Sequence, residues 1–396
     1  MKKVIAIYTI LATICWIVSP ALTFADDVFS TGLLRGTGGG TAPMIMAKWE
    51  MNGPSWQGTQ FVGIGTDDST AVHSQFDAAG EYQSYMDYSI CAIATDSNGA
   101  SDIFGVYADI YYPTSVAIHD RYTPSHDLHP DATPWTSTSG SADLGKEGCG
   151  AFIEQNTLLK LSKTDGYNLF CNNIRNVYNN NLPWFFNGGS YETLCATDGL
   201  LQKEEAYVYC DDKHLWYEDP AGLYKVQVIA QDIAGNSSAV AENTFEYLPG
   251  TIVAADFTNV AYGEVLLNTE KKISGDLNFT TATRPTLRNL GNTRALISIA
   301  QDDMGLGQTS GNWNVTYNAR VGNSEYDWLI SRYLPFRYKA DTTTLPDYTQ
   351  LEDVLDLSED EELDLSIKVT KWPDANTSYS GSMWIDVDAA TFRVCN

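Results

Sequence analysis

The sequence predicts an all-β protein built as two tandem β-sandwich domains, the first carrying a disulfide-stapled, partly helical insertion. Three observations predict it. Tyr, Thr, Val and Ile recur in short runs, and aromatic residues are abundant, with 23 Tyr and 10 Trp; β-branched and aromatic side chains suit a pleated, half-buried surface. Hydrophobic residues make up 43% of the 396 residues, enough for a substantial core, and the length suits two or three domains. Beyond residue 25 the chain holds six cysteines: Cys91, Cys149, Cys171, Cys195, Cys210 and Cys395. An even set in an exported chain reads as up to three disulfides, with the pairing left open. Five of the six lie between 91 and 210, so Cys395 either reaches back across the fold or bonds another subunit.

Export is expected from residues 1–25. Lys2 and Lys3 precede an apolar run from Val4 to Val18, Pro20 breaks it, and Thr23-Phe24-Ala25 offers a small residue at the cut. That is the pattern of a secretory signal peptide cleaved after Ala25. No later segment is apolar over the roughly 18 residues a membrane helix needs, so the mature chain is expected to carry no transmembrane segment. Removing Lys2 and Lys3 leaves 22 basic residues against 50 acidic ones, a charge of −28. So acidic a chain is no partner for nucleic acid, whose phosphates require Lys and Arg.

Along the chain, residues 26–80 read as a Gly-rich N-terminal segment and a first strand, with the apolar run Met44-Ile45-Met46-Ala47-Lys48-Trp49-Glu50. Residues 81–250 form the first sandwich. Tyr88 to Thr95 alternates with period two and ends at Asp96-Ser97-Asn98-Gly99, a hairpin-turn signal, before a second strand from Ile103 to Tyr112. The insertion spans about 113–205. Within it, Phe170, Ile174, Val177 and Tyr178 mark one face of a short helix beginning after Asp165-Gly166, and Leu200–Ala206 reads as another helical turn. Strands resume at Ala206-Tyr207-Val208-Tyr209 and from Leu223 to Ala230, and Leu248-Pro249-Gly250 is the expected linker to a second sandwich at 251–396.

Two stretches carry a resemblance. Gly222-Leu223-Tyr224-Lys225-Val226-Gln227-Val228-Ile229-Ala230-Gln231-Asp232-Ile233-Ala234-Gly235-Asn236, followed by Asn243-Thr244-Phe245-Glu246-Tyr247, resembles the last two strands of bacterial and archaeal immunoglobulin-like domains. Asp256-Phe257-Thr258-Asn259-Val260-Ala261-Tyr262-Gly263 with Pro285-Thr286-Leu287-Arg288-Asn289-Leu290-Gly291-Asn292 resembles the opening strands of further β-sandwich modules. Together the mature chain is similar to tandem immunoglobulin-like surface proteins of methanogenic archaea, of the S-layer or sheath type. The resemblance implies an extracellular structural role; the 113–205 insertion departs from it.

Candidate sites are few. His119, His126, Asp127 and His129 are compact enough for a zinc or other transition-metal site, although Pro124 and Pro130 make a polar loop the plainer reading. Eight acids between Glu352 and Asp364, with Glu359, Asp360, Glu361 and Glu362 at their centre, read as a solvated loop or helix offering the hard oxygen ligands calcium favours. The run Asp96 to Asp102 echoes a calcium loop without its full template, and a plain Asn-Gly turn is the simpler reading. Glycosylation sequons begin at Asn236, Asn278, Asn314 and Asn376. No G-x-S-x-G elbow or convincing triad occurs, so no catalytic residue is assigned and no enzyme is expected. The expected protein is a secreted, self-assembling cell-envelope subunit that requires no cofactor beyond a possible calcium ion. It would meet copies of itself or other envelope proteins and glycans. The alternatives are an adhesin or carbohydrate-binding surface module and, third, a secreted hydrolase.

Overall fold

The computed structural model describes residues 40–52, 74–114, 150, 152–177, 180–183, 185–322, 348–375 and 378–391. The chain is all-β, as expected, with only short helices. The first half contains β1 (Met44–Asn52), β2 (Gln75–Phe76), β3 (Tyr85–Thr95), β4 (Ile103–Tyr111), β5 (Phe152–Lys160), β6 (Phe185–Phe186), β7 (Ala206–Trp216), β8 (Gly222–Asp232) and β9 (Ala241–Tyr247). Their pairing order is β2-β9-β8-β4-β5-β7-β3-β1-β6. β5 joins two layers: most of it pairs with β4, while Leu159 and Lys160 pair with β7. The sequence places β5 inside the expected insertion, yet it is the strand that connects the two sheets.

The two layers close on a core that takes Ile90 and Ala92 from β3, Val106 and Ala108 from β4, and Val226 and Phe245 from β8 and β9. Strand alternation selects these residues, since every second side chain faces the same side. The Asp96–Gly99 turn exists, but β3 and β4 are not a hairpin: β3 pairs with β1 and β7, and β4 with β5 and β8. The turn carries the chain from one layer to the other, because β3 and β4 both present apolar faces to the shared core.

The outer face of β1, β3 and β7 is also apolar, and the helical segment covers it. α1 (Lys163–Tyr167), a π-helical stretch Asn168–Ile174 and α2 (Arg175–Val177) run on continuously. The helix starts slightly earlier than expected because the Ser162 hydroxyl accepts the Asp165 N–H at 3.2 Å, satisfying an orphan donor of the first turn. Phe170 and Ile174 pack with Trp49, Ile93 and Val208 on the sheet. α3 (Tyr191–Cys195) joins the same layer, whereas Leu200–Ala206 forms hydrogen-bonded turns leading into β7. Two disulfides staple this layer: Cys91–Cys210 joins directly opposed residues of β3 and β7, and Cys171–Cys195 ties the π-helical stretch to α3. Cys149 and Cys395 lie outside the described residues.

The second half contains β10 (Val253–Ala255), β11 (Glu270–Ile273), β12 (Thr286–Asn289), β13 (Arg294–Gln301), β14 (Gln308–Thr309), β15 (Asn312–Trp313), β16 (Val315–Val321), β17 (Thr349–Leu355), β18 (Asp360–Val369) and β19 (Met383–Ala390). One sheet runs β10-β12-β18-β11 with β16 also on β18; the other runs β17-β13-β19. Ile297, Ile299, Tyr317, Leu363 and Leu365 lie in the core they share. The stretch 248–250 is held in place. Asn292, fully buried, accepts the Gly250 N–H at 2.6 Å and donates to the Leu248 carbonyl at 2.8 Å, while its own carbonyl accepts the Ala221 N–H at 2.8 Å. The Arg288 guanidinium lies 3.9 Å from the Tyr82 ring centroid, and the Tyr217 and Ser358 hydroxyls are 2.6 Å apart.

The acidic run is neither a solvated loop nor a helix. Asp360 to Val369 is the strand that β11, β12 and β16 all pair with, and Leu363, Leu365, Ile367 and Val369 face the core at period two. High acid density hid that alternation. Two of its carboxylates are paired with arginine: Asp360 accepts two hydrogen bonds from Arg288 at 2.5 and 2.6 Å, and Asp364 pairs with Arg320.

Candidate functional site

Among the described residues, the acidic group best arranged to hold a cation is formed by Asp96, Asp102 and Asp232. Each offers a carboxylate oxygen, and the three oxygens lie within 4.8 Å of one another. Asp96 leaves the end of β3, Asp102 closes a 3-10 turn before β4, and Asp232 ends β8. The β3–β4 crossover and the β8–β9 turn therefore meet at one end of the sandwich. The Ile233 N–H donates to the Asp102 carbonyl at 2.9 Å, tying the two loops together.

Local hydrogen bonds orient two of the carboxylates. Asp96 accepts the Asn98 N–H at 2.7 Å through Oδ1, while its Oδ2 is buried with no hydrogen-bond partner among the described residues. Asp96 as a whole is 5% exposed. A buried carboxylate oxygen without donor or cation is costly. Asp232, 1% exposed, accepts the Asn236 backbone N–H at 2.7 Å and its side-chain amide at 2.8 Å. The Asn236 side chain, with backbone amides of the same turn, holds the Asp232 carboxyl below its ordinary range, so it stays ionised. Gly40 completes the wall: its Cβ position would stand 2.7 Å from Asn98 Nδ2 and 3.2 Å from Asp232 Oδ2.

Three carboxylates at this spacing suit a hard divalent cation, with remaining positions filled by backbone carbonyls and water; calcium tolerates such irregular oxygen sets better than magnesium. The Asp96–Asp102 loop was visible in the sequence, but Asp232 was visible only as part of a strand-turn motif. No local spacing links them.

Other sequence candidates fall elsewhere. His119, His126, Asp127 and His129 lie outside the described residues, as does Asn376. Glu361 and Glu362 are buried in β18, and the Glu359 carboxylate accepts the Asp356 N–H at 2.7 Å. Among the sequons, Asn278 is exposed. Asn314 is 3% exposed and its amide nitrogen donates to the Leu306 carbonyl, so it is closed to glycosylation in the folded chain. The Asn236 amide nitrogen is likewise engaged, donating to Asp232 and to the Gly40 carbonyl.

No family model matches the chain, and no curated protein matches it. Among solved structures, the C-terminal domain of the Streptococcus pyogenes antigen I/II-family protein AspA aligns at 11% identity over 87% of this chain and 96% of that one, with a TM-score of 0.22. A chaperone–tip adhesin complex of CFA/I fimbriae aligns at 8% identity over 89% and 92%, with a TM-score of 0.25. Such scores do not establish a shared fold, and no functional conclusion rests on them.

Proposed function

We propose that the chain is a structural, self-associating protein of the extracellular cell envelope, an S-layer or sheath subunit whose assembly depends on calcium. The observation that carries this reading is β19. It is eight residues long and, among the described residues, pairs only with β13. Met383, Ile385 and Val387 pack on the core, while Trp384 is 39% exposed. Most other sheet margins here are two to four residues long, the usual protection against unwanted pairing. A long, regular edge, unpaired among the described residues, is a template for strand addition from a second copy. Formed disulfides support an extracellular setting. Among the described residues no helix is long and apolar enough to cross a membrane.

The assembly test is sedimentation and negative-stain microscopy of the mature protein in calcium, then with chelator, then with chelator and reductant. Lattices, tubes or fibres in calcium that chelator disperses are the expected result, with reductant completing release if Cys395 bonds between chains. A protein that stays monomeric at high concentration in calcium-containing, non-reducing buffer overturns the reading.

Calcium binding is tested apart from assembly by thermal unfolding of dilute protein. At calcium one hundred times its dissociation constant, linkage predicts about 2.7 kcal/mol of stabilisation, a shift of several degrees in Tm. Asp232→Asn and Asp96→Asn should remove the shift. A wild-type Tm indifferent to calcium and chelator would show that the three carboxylates hold no such ion.

A binding role has its own observation. The second half contains a cleft of about 1130 Å³ lined by Phe257, Tyr262, Trp372 and Tyr379, with Trp372 stacked on Tyr379 at 5.3 Å. Aromatic faces beside Asn259, Gln301 and Asp374 suit a carbohydrate. A glycan array separates this adhesin-like reading from the structural one: retention of a defined sugar by non-assembled monomer would favour it.

A further inference from the structure

Between the two layers of the first half lie three polar side chains where strand alternation elsewhere places apolar ones. Lys48 and Glu50 point inward from β1, and Asn243 points inward from β9, in register with Ala241, Phe245 and Tyr247. Lys48 is fully buried, Glu50 is 2% exposed and Asn243 is 4% exposed. The Lys48 ammonium nitrogen contacts Glu50 Oε1 and Asn243 Oδ1, and Asn243 Nδ2 donates to Glu50 Oε2. The three groups form a closed ring, sealed in a core that also holds Phe76, Tyr88 and Phe245.

A buried ion pair is a poor route to stability, because desolvation consumes most of what the attraction returns. The arrangement is a good one for chemistry. Burial pushes the Lys48 amine down from its ordinary range, against the raising influence of Glu50, so the neutral nucleophile becomes accessible. The carboxamide carbon of Asn243 is the electrophile beside it, and Glu50 touches both partners.

We propose that Lys48 and Asn243 join in an intramolecular isopeptide bond, formed by the folded protein itself with Glu50 as the acid–base group. Lys48 passes a proton to Glu50, and its Nζ attacks Asn243 Cγ. Glu50 hydrogen-bonds the developing oxyanion at Oδ1 and then delivers a proton to Nδ2. The Nζ–Cγ bond forms, the Cγ–Nδ2 bond breaks, and nitrogen leaves as ammonia, which takes up the remaining ammonium proton. No oxidant, metal or nucleotide is needed. The bond would tie β1 to β9, strands near opposite ends of the pairing order, across a sequence separation of 195 residues. A first half loaded mechanically at β1 and β9 would then carry force through a covalent bond rather than through hydrogen bonds alone.

Peptide mapping of the reduced, alkylated mature chain by mass spectrometry tests this. The expected result is a branched tryptic species joining the peptides of Lys48 and Asn243, about 17 Da lighter than their sum, with no cleavage after Lys48. Glu50→Gln, which keeps the shape and removes the acid–base group, should yield the two linear peptides and lower the Tm by ~10 °C or more, from release of a long closed loop. If that variant does not fold, the wild-type digest still decides. Linear wild-type peptides carrying unmodified Lys48 and Asn243 overturn the proposal. So does an ammonia loss that maps to an Asn-Gly site such as Asn98-Gly99 while Lys48 and Asn243 remain linear.

Discussion

Replacing Cys91 and Cys210 together by alanine should cost about 5 kcal/mol of unfolding free energy, more than replacing Cys171 and Cys195, which should cost about 3 kcal/mol. The ranking follows from the lengths of chain the bridges close: a sequence separation of 119 residues for the first and 24 for the second. A bridge restrains the unfolded chain in proportion to the logarithm of that length, so the longer loop gives the larger effect. Both bridges lie in the layer between the sheet and the helices, where Cys91 is fully buried and Cys210 is 4% exposed. Removing their sulfurs also opens space beside Trp49 and Val208, which adds to the loss. Guanidinium unfolding of the two double variants at one pH measures the ranking. A larger loss for the Cys171–Cys195 pair, or losses below about 1 kcal/mol for both, would show that the bridges do not restrain the unfolded chain as the separations imply.

The second expected result concerns Glu362. Burial first, and then the neighbouring Asp364 carboxylate, push its carboxyl from an ordinary 4.5 up to about 7, against the lowering influence of Arg320 and Arg284; Asp276 adds to the rise. Its Oε1 is buried with no hydrogen-bond partner among the described residues. A carboxyl whose folded pKa is raised favours the folded state at low pH. That contribution is complete below pH 4.5, is lost as pH rises from 4.5 to about 7, and is absent above. The size is about 3 kcal/mol. Glu359 is also raised by burial and works in the same direction, so the variant is needed to isolate Glu362. Glu362→Gln should match the wild type near pH 4 and exceed it in stability near pH 8. Urea unfolding of both proteins at the two pH values checks this. An unchanged difference between them across the range would contradict it.

Much of this fold was legible in short stretches. Tyr88–Thr95, Ile103–Tyr112 and the run from Gly222 to Tyr247 alternate at period two and became β3, β4, β8 and β9. Phe170 and Ile174 at helical spacing became the buried face of the helix over the sheet. The expectation of export, the acidic balance and the even set of cysteines beyond residue 25 came from composition and order along the chain. These features are local: each depends on which side of a strand or helix a residue occupies, and that is written within a few positions.

What the tertiary structure decided was which distant stretches meet. A turn signal after β3 cannot say whether the next strand pairs beside it or crosses to the other layer; two apolar faces sharing one core chose the crossing. The acids of β18 looked like solvated surface because their arginine partners, Arg288 and Arg320, are 72 and 44 residues away. Asp232 joins Asp96 and Asp102 only because two loops end at the same rim of the sandwich. Lys48 and Glu50 sat in a run noticed for its apolar residues, and Asn243 in a strand noticed for its alternation. Only closure of the two layers brings them together, and burial there turns an ordinary lysine and an ordinary amide into neighbours able to react.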